Sequence, residues 1–536
     1  MKASVKMGAL FLAATLSMGW AWAQKTYPGC GPLADSDFKL TTLVSRDAQN
    51  QLEEPIKMSL DMDDQGNVDI YFVQRYGKVR KFSVATKQMT TIGTIPVDVQ
   101  LEDGVTGIIL DPGFKTNRRL FIYYATGTAS DFKFHLSRFK LDGAGMMDMA
   151  SERPILIIPA AKGKSHTGGS MRFDPQGVLY LGVGENEGGE LSSANTNDLR
   201  GKILRIKPID FADSDKPAPG PGTTYSIPAG NLFPTKDPAT DKTRPEIYIM
   251  GDRNPYTLTL DDRTGRLAWG ELGPNGTDTT EEDNITKAPG NYGYPYYAGH
   301  QVVLTANAGT PEKPLNNNPK NTGLKELPPA VPAARAYLRS AAMTGPIYRY
   351  ADAPKNSALK FPPQFDGMWF VTDFNSNEID TIQLDPSGTK MNSIGRVFKT
   401  WNLAAPLDFQ QGPDGALYVL NYGGYFSSTA ATALVRLEYH GSCRPESVTG
   451  LAEPQRLGRT SLEAFGFTLA VEDAGEHRLQ VADLRGHVLA EFRGSGQARY
   501  DLAPSLGGRP GLYAVRLETR TKTRSEISSR MVLLGR

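Results

Sequence analysis

His166 stands immediately before a Gly-Gly pair in residues 164–184, ahead of a tight turn, Asp174 to Gly177, and an alternating strand of Val, Leu and Tyr. An imidazole titrates near neutrality, so one projecting from the mouth of such a hairpin can take a proton. The plain alternative is a hydrogen-bonded structural histidine, and with six histidines in the chain each is weighed singly. Glu102 and Asp103 lie on a turn before another strand, and Arg253 and Asn254 end a strand where Pro255 restricts the backbone behind them. Residues 270–284 are acidic and turn-rich, with oxygens suited to a hard cation such as Ca²⁺. Asn291 to Pro295 offers aromatic side chains on a constrained loop. Taken singly these read equally well as solvated loops or loop clamps. Brought to one cavity they supply a base, a fixed cation and amide donors.

The elements that must position them repeat. An apolar strand, a turn with Asp, Pro or Gly, and a second strand rich in Tyr, Leu, Val and Phe recur at 58–73, 107–124, 171–184, 258–270, 365–372 and 409–420. Six copies of one hairpin unit, with little helical periodicity between them, predict an all-β, six-bladed β-propeller over residues 24–445. Each blade then has about 65–70 residues, more than four short strands need. The surplus is expected as long functional loops, the largest near 208–245 and 298–345.

The chain has 536 residues and a net charge of +1, which gives no electrostatic reason to expect nucleic acid or an anionic membrane surface as partner. A basic start, a short apolar run and an Ala-x-Ala site predict a secretory signal over residues 1–23. That run is too short to span a bilayer, and no later segment is long and apolar enough. The mature chain is therefore expected to be exported through the periplasm, secreted or held at the cell surface, without a transmembrane segment. Its two cysteines, Cys30 and Cys443, flank the main body and are expected to pair in an oxidising compartment rather than stay as buried thiols. Such a bridge stabilises by about 2–5 kcal/mol. After Cys443 the composition shifts, and residues 446–536 read as six or seven short strands of a small β-sandwich.

Gly104 to Phe114, His166 to Gly177, Leu199 to Ile206, Tyr225 to Asn231, Pro245 to Tyr248 with Arg253-Asn254-Pro255, and Gly290 to Pro295 together resemble the glucose/sorbosone dehydrogenase family over about residues 40–440. The resemblance implies a six-bladed propeller that uses pyrroloquinoline quinone (PQQ) and Ca²⁺ to oxidise a sugar C–OH, aldose to lactone. It implies that His166 is the general base and that Arg253 and Asn254 contact the quinone carbonyl region, Arg253 sharing in catalysis. Glu102 lies beside base and substrate, and the backbone carbonyls of Gly273 and Pro274 hold Ca²⁺. Three positions depart from the family pattern: a basic residue appears as Asn375, and paired arginines for the cofactor carboxylates appear as Ala405 and Leu407. An Asp that often precedes the base is Ser165. Segments of the C-terminal region, among them Val481 to Leu489 and Arg530 to Leu534, resemble sorting domains of type IX-secreted bacterial proteins, which implies secretion machinery as a partner; an accessory or carbohydrate-contacting module is the alternative. For the whole chain the alternatives are a non-catalytic carbohydrate- or surface-binding propeller that has lost part of the PQQ site, and a Ca²⁺-dependent hydrolase or lactonase.

Overall fold

The computed structural model describes residues 33–443 and 462–534, apart from short stretches at 235–240, 275–279, 300–301, 304–307, 339–340, 399–400, 402, 425–426, 466–467, 472–475, 484–486, 496–497, 507–510 and 521–524. The expected signal, residues 1–23, and Cys30 lie outside the described residues. The chain divides into two compact units, up to Pro445 and from Glu446 onward.

In the first unit, alternating strands joined by tight turns form the six main sheets of the ring among the described residues, five of them four-stranded and one larger. Blade 1 runs Pro55–Met62, Val68–Gln74, Lys78–Ser83 and Gln88–Thr94, and blade 2 runs Val105–Leu110, Arg119–Thr128, Asp131–Leu141 and Met147–Pro159. Blade 3 is Gly168–Phe173, Leu179–Val183, Lys202–Pro208 and Ile247–Met250, extended by Gly290–Asn291. Blade 4 is Pro255–Asp261, Arg266–Glu271, Glu281–Thr286 and Arg335–Tyr337, and blade 5 is Ala342–Ile347, Trp369–Asp373, Ile379–Leu384 and Met391–Val397. Blade 6 takes Pro406–Gln411, Leu417–Asn421 and Ala433–Tyr439 from the end of the unit and its outermost strand, Phe38–Ser45, from the beginning. The first strand of each blade contacts the first strand of the next, and blade 6 contacts blade 1, so the sheets close a ring. This is the propeller expected from the repeated hairpin.

Asp side chains set the recurring turns. Asp63 accepts the amides of Gln65 and Asn67, and Asp174 those of Gln176 and Val178, in blades 1 and 3. Small polar groups on the inner strands then join neighbouring blades. The amide of Leu110 donates to Ser59 (3.2 Å), Leu258 to Ser170 (3.0 Å), Thr344 to Thr257 (2.7 Å) and Met58 to the carboxylate of Asp408 (2.8 Å). Inner strands approach so closely that a Cβ on Gly107 would lie 2.1 Å from the carbonyl oxygen of Gly169. Outside this polar hub, apolar side chains pack between sheets; Trp269 and Trp369 are wholly buried.

The expected long segment at 208–245 joins the third and fourth strands of blade 3. The one at 298–345 contains the last strand of blade 4 and the start of blade 5, because its Arg335–Tyr337 stretch pairs with Glu281–Asp283. In the second unit, a four-stranded sheet (Val488–Ser495, Glu476–Ala482, Gly511–Arg520, Ser525–Leu534) accompanies a three-stranded one (Leu462–Phe465, Thr468–Val471, Ala498–Asp501). Leu479, Val481, Leu502, Val515 and Leu517 form their core, and His477 bonds Tyr500 across the two sheets at 2.6 Å. Among the described residues no helix is long and apolar enough to cross a membrane.

Gly107→Ala is expected to lower stability by about 1–3 kcal/mol, the cost of overpacking an interior contact. A reduced urea midpoint checks it; an unchanged midpoint would show that blades 2 and 3 can separate freely.

Candidate active site at one end of the ring

Two kinds of position meet at one end of the ring: residues just before or within each inner strand, and residues just past each second strand. They line a cavity of about 360 Å³ to which all six blades contribute. His166, Glu102, Arg253, Asn254, Gly273 and Pro274 all line it, with Asn375 and Leu407. The expected convergence of separate loops on one basin is therefore present.

His166 sits in the left-handed region (φ +68°), with the backbone folded so that its ring enters the cavity wall. Gly184 makes room for this turn, since a Cβ there would lie 2.1 Å from the carbonyl oxygen of His166. Glu185, the next residue and 1% exposed, brings Oε1 to 2.6 Å from Nδ1 of His166. A carboxylate there fixes the proton on Nδ1 and leaves the lone pair on Nε2. The other oxygen of Glu185 accepts the amide of Gly189, and its backbone amide donates to the carbonyl of Arg253 at 2.8 Å.

Glu102 ties three blades together. Its Oε2 accepts the amides of His166 (2.8 Å) and Thr167 (3.3 Å) and the side-chain amide of Asn254 (3.4 Å). Asn254 in turn accepts the amide of Gly168 at 3.1 Å. Next to Glu102, Asp103 points away from the cavity and accepts the amide of Gly163 at 2.9 Å; burial pushes its carboxyl up to about 6. Behind Arg253 and Asn254, Glu271 accepts both of their backbone amides, the second at 3.1 Å. The Arg253 guanidinium bonds the hydroxyl of Tyr294, within the aromatic loop singled out in the sequence.

The acidic stretch 270–284 departs from its expected form. Residues 275–279 lie outside the described residues, but Glu271, Glu281, Glu282 and Asp283 are strand residues and buried, not solvated. Cross-strand pairing sets Glu271 opposite Glu282. Burial, with repulsion from Asp252 next, raises the Glu271 carboxyl well above the carboxylate range. Burial likewise raises Glu281, Glu282 and Asp283 to about 7. Glu281 reaches the cavity, where its carboxyl accepts the amides of Ala342 (2.9 Å) and Gly273. Among the described residues no group of three or more His, Cys, Asp or Glu side chains is arranged to hold a metal ion, so a cation here would depend on carbonyl oxygens and on its guest.

The sequence reading missed Glu185 and Arg75, and placed Glu281 in an acidic, cation-binding turn where the structure has a buried strand residue. Arg75 lines the opposite wall, paired with Glu54 at 2.5 Å and bonded to the carbonyl of Leu101, while Tyr422 donates to the same Glu54 carboxylate at 2.7 Å. Arg75, Glu185, Gly273, Asn375 and Tyr422 all occupy the stretch just after a second strand, a regularity readable once the hairpins are aligned. Ala405 and Leu407 are buried in an apolar cluster with Tyr256, Met343 and Tyr422. Cys443 is buried, with its amide on the Tyr439 hydroxyl at 2.9 Å; its expected partner Cys30 lies outside the described residues.

The profile of the Glucose / Sorbosone dehydrogenase family matches residues 52–425. The aldose sugar dehydrogenase YliI of Escherichia coli K12 is 25% identical over 385 residues, covering 69% of this chain and 88% of that protein. Among solved structures, the soluble aldose sugar dehydrogenase of Escherichia coli in its apo-form superposes with a TM-score of 0.54 at 19% identity, covering 75% of this chain and 99% of that one. The PQQ-bound form of an aldose sugar dehydrogenase from Streptomyces coelicolor superposes with a TM-score of 0.51 at 20% identity, covering 75% and 98%.

A carboxyl raised from 4.5 to about 7 favours its protonated form in the folded state, so it stabilises below pH 4.5 and that stability is lost as pH rises toward 7. Glu282→Gln removes this slope. Its stability relative to the parent is expected to improve by on the order of 2–3 kcal/mol between pH 4.5 and 8 in urea titrations; a pH-independent difference would contradict the buried-acid assignment.

Proposed function

This chain belongs to the glucose/sorbosone dehydrogenase family, and from that premise we propose that it oxidises the anomeric C–OH of an aldose to a lactone, with PQQ as the acceptor and Ca²⁺ as its counter-ion. The observation that carries this is the Glu185–His166 pair in the cavity wall, beside Arg253 and Asn254. An imidazole with Nδ1–H held by a buried carboxylate is oriented as a base: Nε2 takes the sugar hydroxyl proton, and Glu185 stabilises the imidazolium that forms.

The cavity suits a flat aromatic guest. Its apolar wall comes from Ile56, Tyr256, Leu272, Met343, Phe374, Leu407 and Tyr422, and its polar rim from His166, Arg253 and Asn254. Bound PQQ would supply hydride acceptance. Arg253 would place a cation where negative charge grows on the acceptor, the carbonyls of Gly273 and Pro274 would offer neutral oxygens to Ca²⁺, and Glu102 would hold the base and Asn254 in register. The similarity to proteins described as aldose sugar dehydrogenases supports an aldose substrate. A secretory signal over residues 1–23, a Cys30–Cys443 bridge and a sorting role for residues 446–536 belong to the same reading of an exported enzyme.

One observation favours a second reading. The apolar surroundings of Ala405 and Leu407, with Asn375 at the rim, remove cations that a tricarboxylate would use, which fits a propeller that binds carbohydrate without oxidising it. Reconstitution separates the two. Purified chain given PQQ and Ca²⁺ is expected to reduce a dye on an aldose panel, with His166→Ala losing about 10²–10⁴-fold in kcat while still taking up the quinone. No dye reduction by the parent, or equal rates for His166→Ala, would reject the dehydrogenase reading.

A further inference from the structure

Below the cavity floor lies a buried cation that the propeller itself does not explain. Lys57, on the inner strand of blade 1, is 2% exposed. Its ammonium donates to the carbonyl of Leu407 at 2.8 Å and, at the limit of hydrogen bonding, to that of Ile56 at 3.4 Å, and it stands 3.8 Å from the centre of the Tyr256 ring. Ile56, Tyr256 and Leu407 all line the cavity, so Lys57 is one layer beneath it. Among the described residues no carboxylate forms an ion pair with it. Asp408, the acid that acts on it most strongly, is committed elsewhere: it accepts the amide of Met58 (2.8 Å) and the side-chain amide of Gln410 (2.7 Å), and faces Arg172 at 3.8 Å.

Burying an ammonium without an anion is costly unless hydrogen bonds saturate it. Lys202 meets that condition, with three carbonyls at 2.6, 2.8 and 3.0 Å. Lys57 does not, having one short bond. Its contact, moreover, is the carbonyl of residue 407, one of the two positions at which blade 6 lacks the arginines that the family resemblance implies.

We infer that Lys57, with Arg75 on the adjoining wall, supplies from blade 1 the positive charge for the carboxylates of the quinone guest that Ala405 and Leu407 of blade 6 do not supply. This rests on the quinone reading above. Blades 1 and 6 are neighbours across the ring closure, so a cation moved from one inner strand to the other still lies under the same side of the cavity. Without an anion, burial lowers the Lys57 amine to about 7, with attraction from Asp408 and repulsion from Arg172 the smaller influences. A carboxylate on the cavity floor above it would restore the charged form by attraction across that one layer.

Titration of the metal-free full chain with PQQ, followed by quenching of tryptophan fluorescence, tests this without turnover. Lys57→Met is expected to bind PQQ about tenfold more weakly than the parent, the effect of losing one weakly screened charge a layer away, while its unliganded melting temperature stays equal or rises because a buried charge is gone. Lys57→Gln serves if the methionine variant does not fold. The trimethyl ester of PQQ, which has lost the negative charges, should bind the parent and Lys57→Met alike. Equal PQQ affinity in the parent and both variants, or the same loss for PQQ and its ester, would overturn the assignment to Lys57. A parent that takes up neither guest would instead overturn the quinone reading itself.

Discussion

Closure of the ring is the constraint from which the site follows. Six inner strands must touch in a circle, and the last sheet is completed by the strand Phe38–Ser45 from the start of the unit. Only then do the residues preceding each inner strand and following each second strand share one mouth. Glu102 enters from the turn before blade 2, His166 from the turn before blade 3 and Asn254 from the turn before blade 4, and hydrogen bonds of 2.8–3.4 Å on the Glu102 carboxylate join them. Their geometry is thus a property of the whole circle. A loosened blade interface anywhere would widen the cavity and break this network before it unfolded the protein.

The hub is polar where most cores are apolar, and this shapes its electrostatics. Inner-strand hydroxyls and carboxylates join adjacent blades, while Lys57, Lys202, Asp252, Glu271 and Glu282 are all buried. The acids cluster behind Arg253 and Asn254, and burial raises their carboxyls, so near neutrality the cluster carries less charge than its composition suggests. Backbone amides of Arg253 and Asn254 rest on Glu271, which places part of the cavity wall under the control of a group whose ionisation is suppressed. The cavity therefore has guanidiniums on facing sides, Arg253 and the Glu54-paired Arg75, with the buried Lys57 below, and an imidazole oriented by a buried carboxylate.

Much of this was legible in the chain. Period-two alternation around Asp- and Gly-bearing turns located the paired first and second strands in most of the blades, because a hairpin is a local object with a local signature. His166, Arg253, Asn254, Gly273, Pro274 and Glu102 were found through their motifs, and all face one cavity. Pairings set by long-range closure were not legible. The strand Phe38–Ser45 belongs to blade 6, and the strand Arg335–Tyr337 lies inside a stretch that reads as loop, since its partner is more than fifty residues earlier. Residues 270–284 look solvated from composition, yet consecutive acids fit a buried strand when backbone amides, Asn284 and Arg335 satisfy them and burial raises their carboxyls. Glu185 and Lys57 carry no motif; their roles come from where the ring puts them.

The most direct measurement is a crystal structure of the chain saturated with PQQ and Ca²⁺. The quinone is expected in the cavity, its carbonyl end against His166 and Arg253, the cation on the carbonyls of Gly273 and Pro274, and a carboxylate over Lys57 or Arg75. Guest density at any other place on the ring, or a cavity that stays empty at saturating PQQ, would contradict a catalytic centre built on His166.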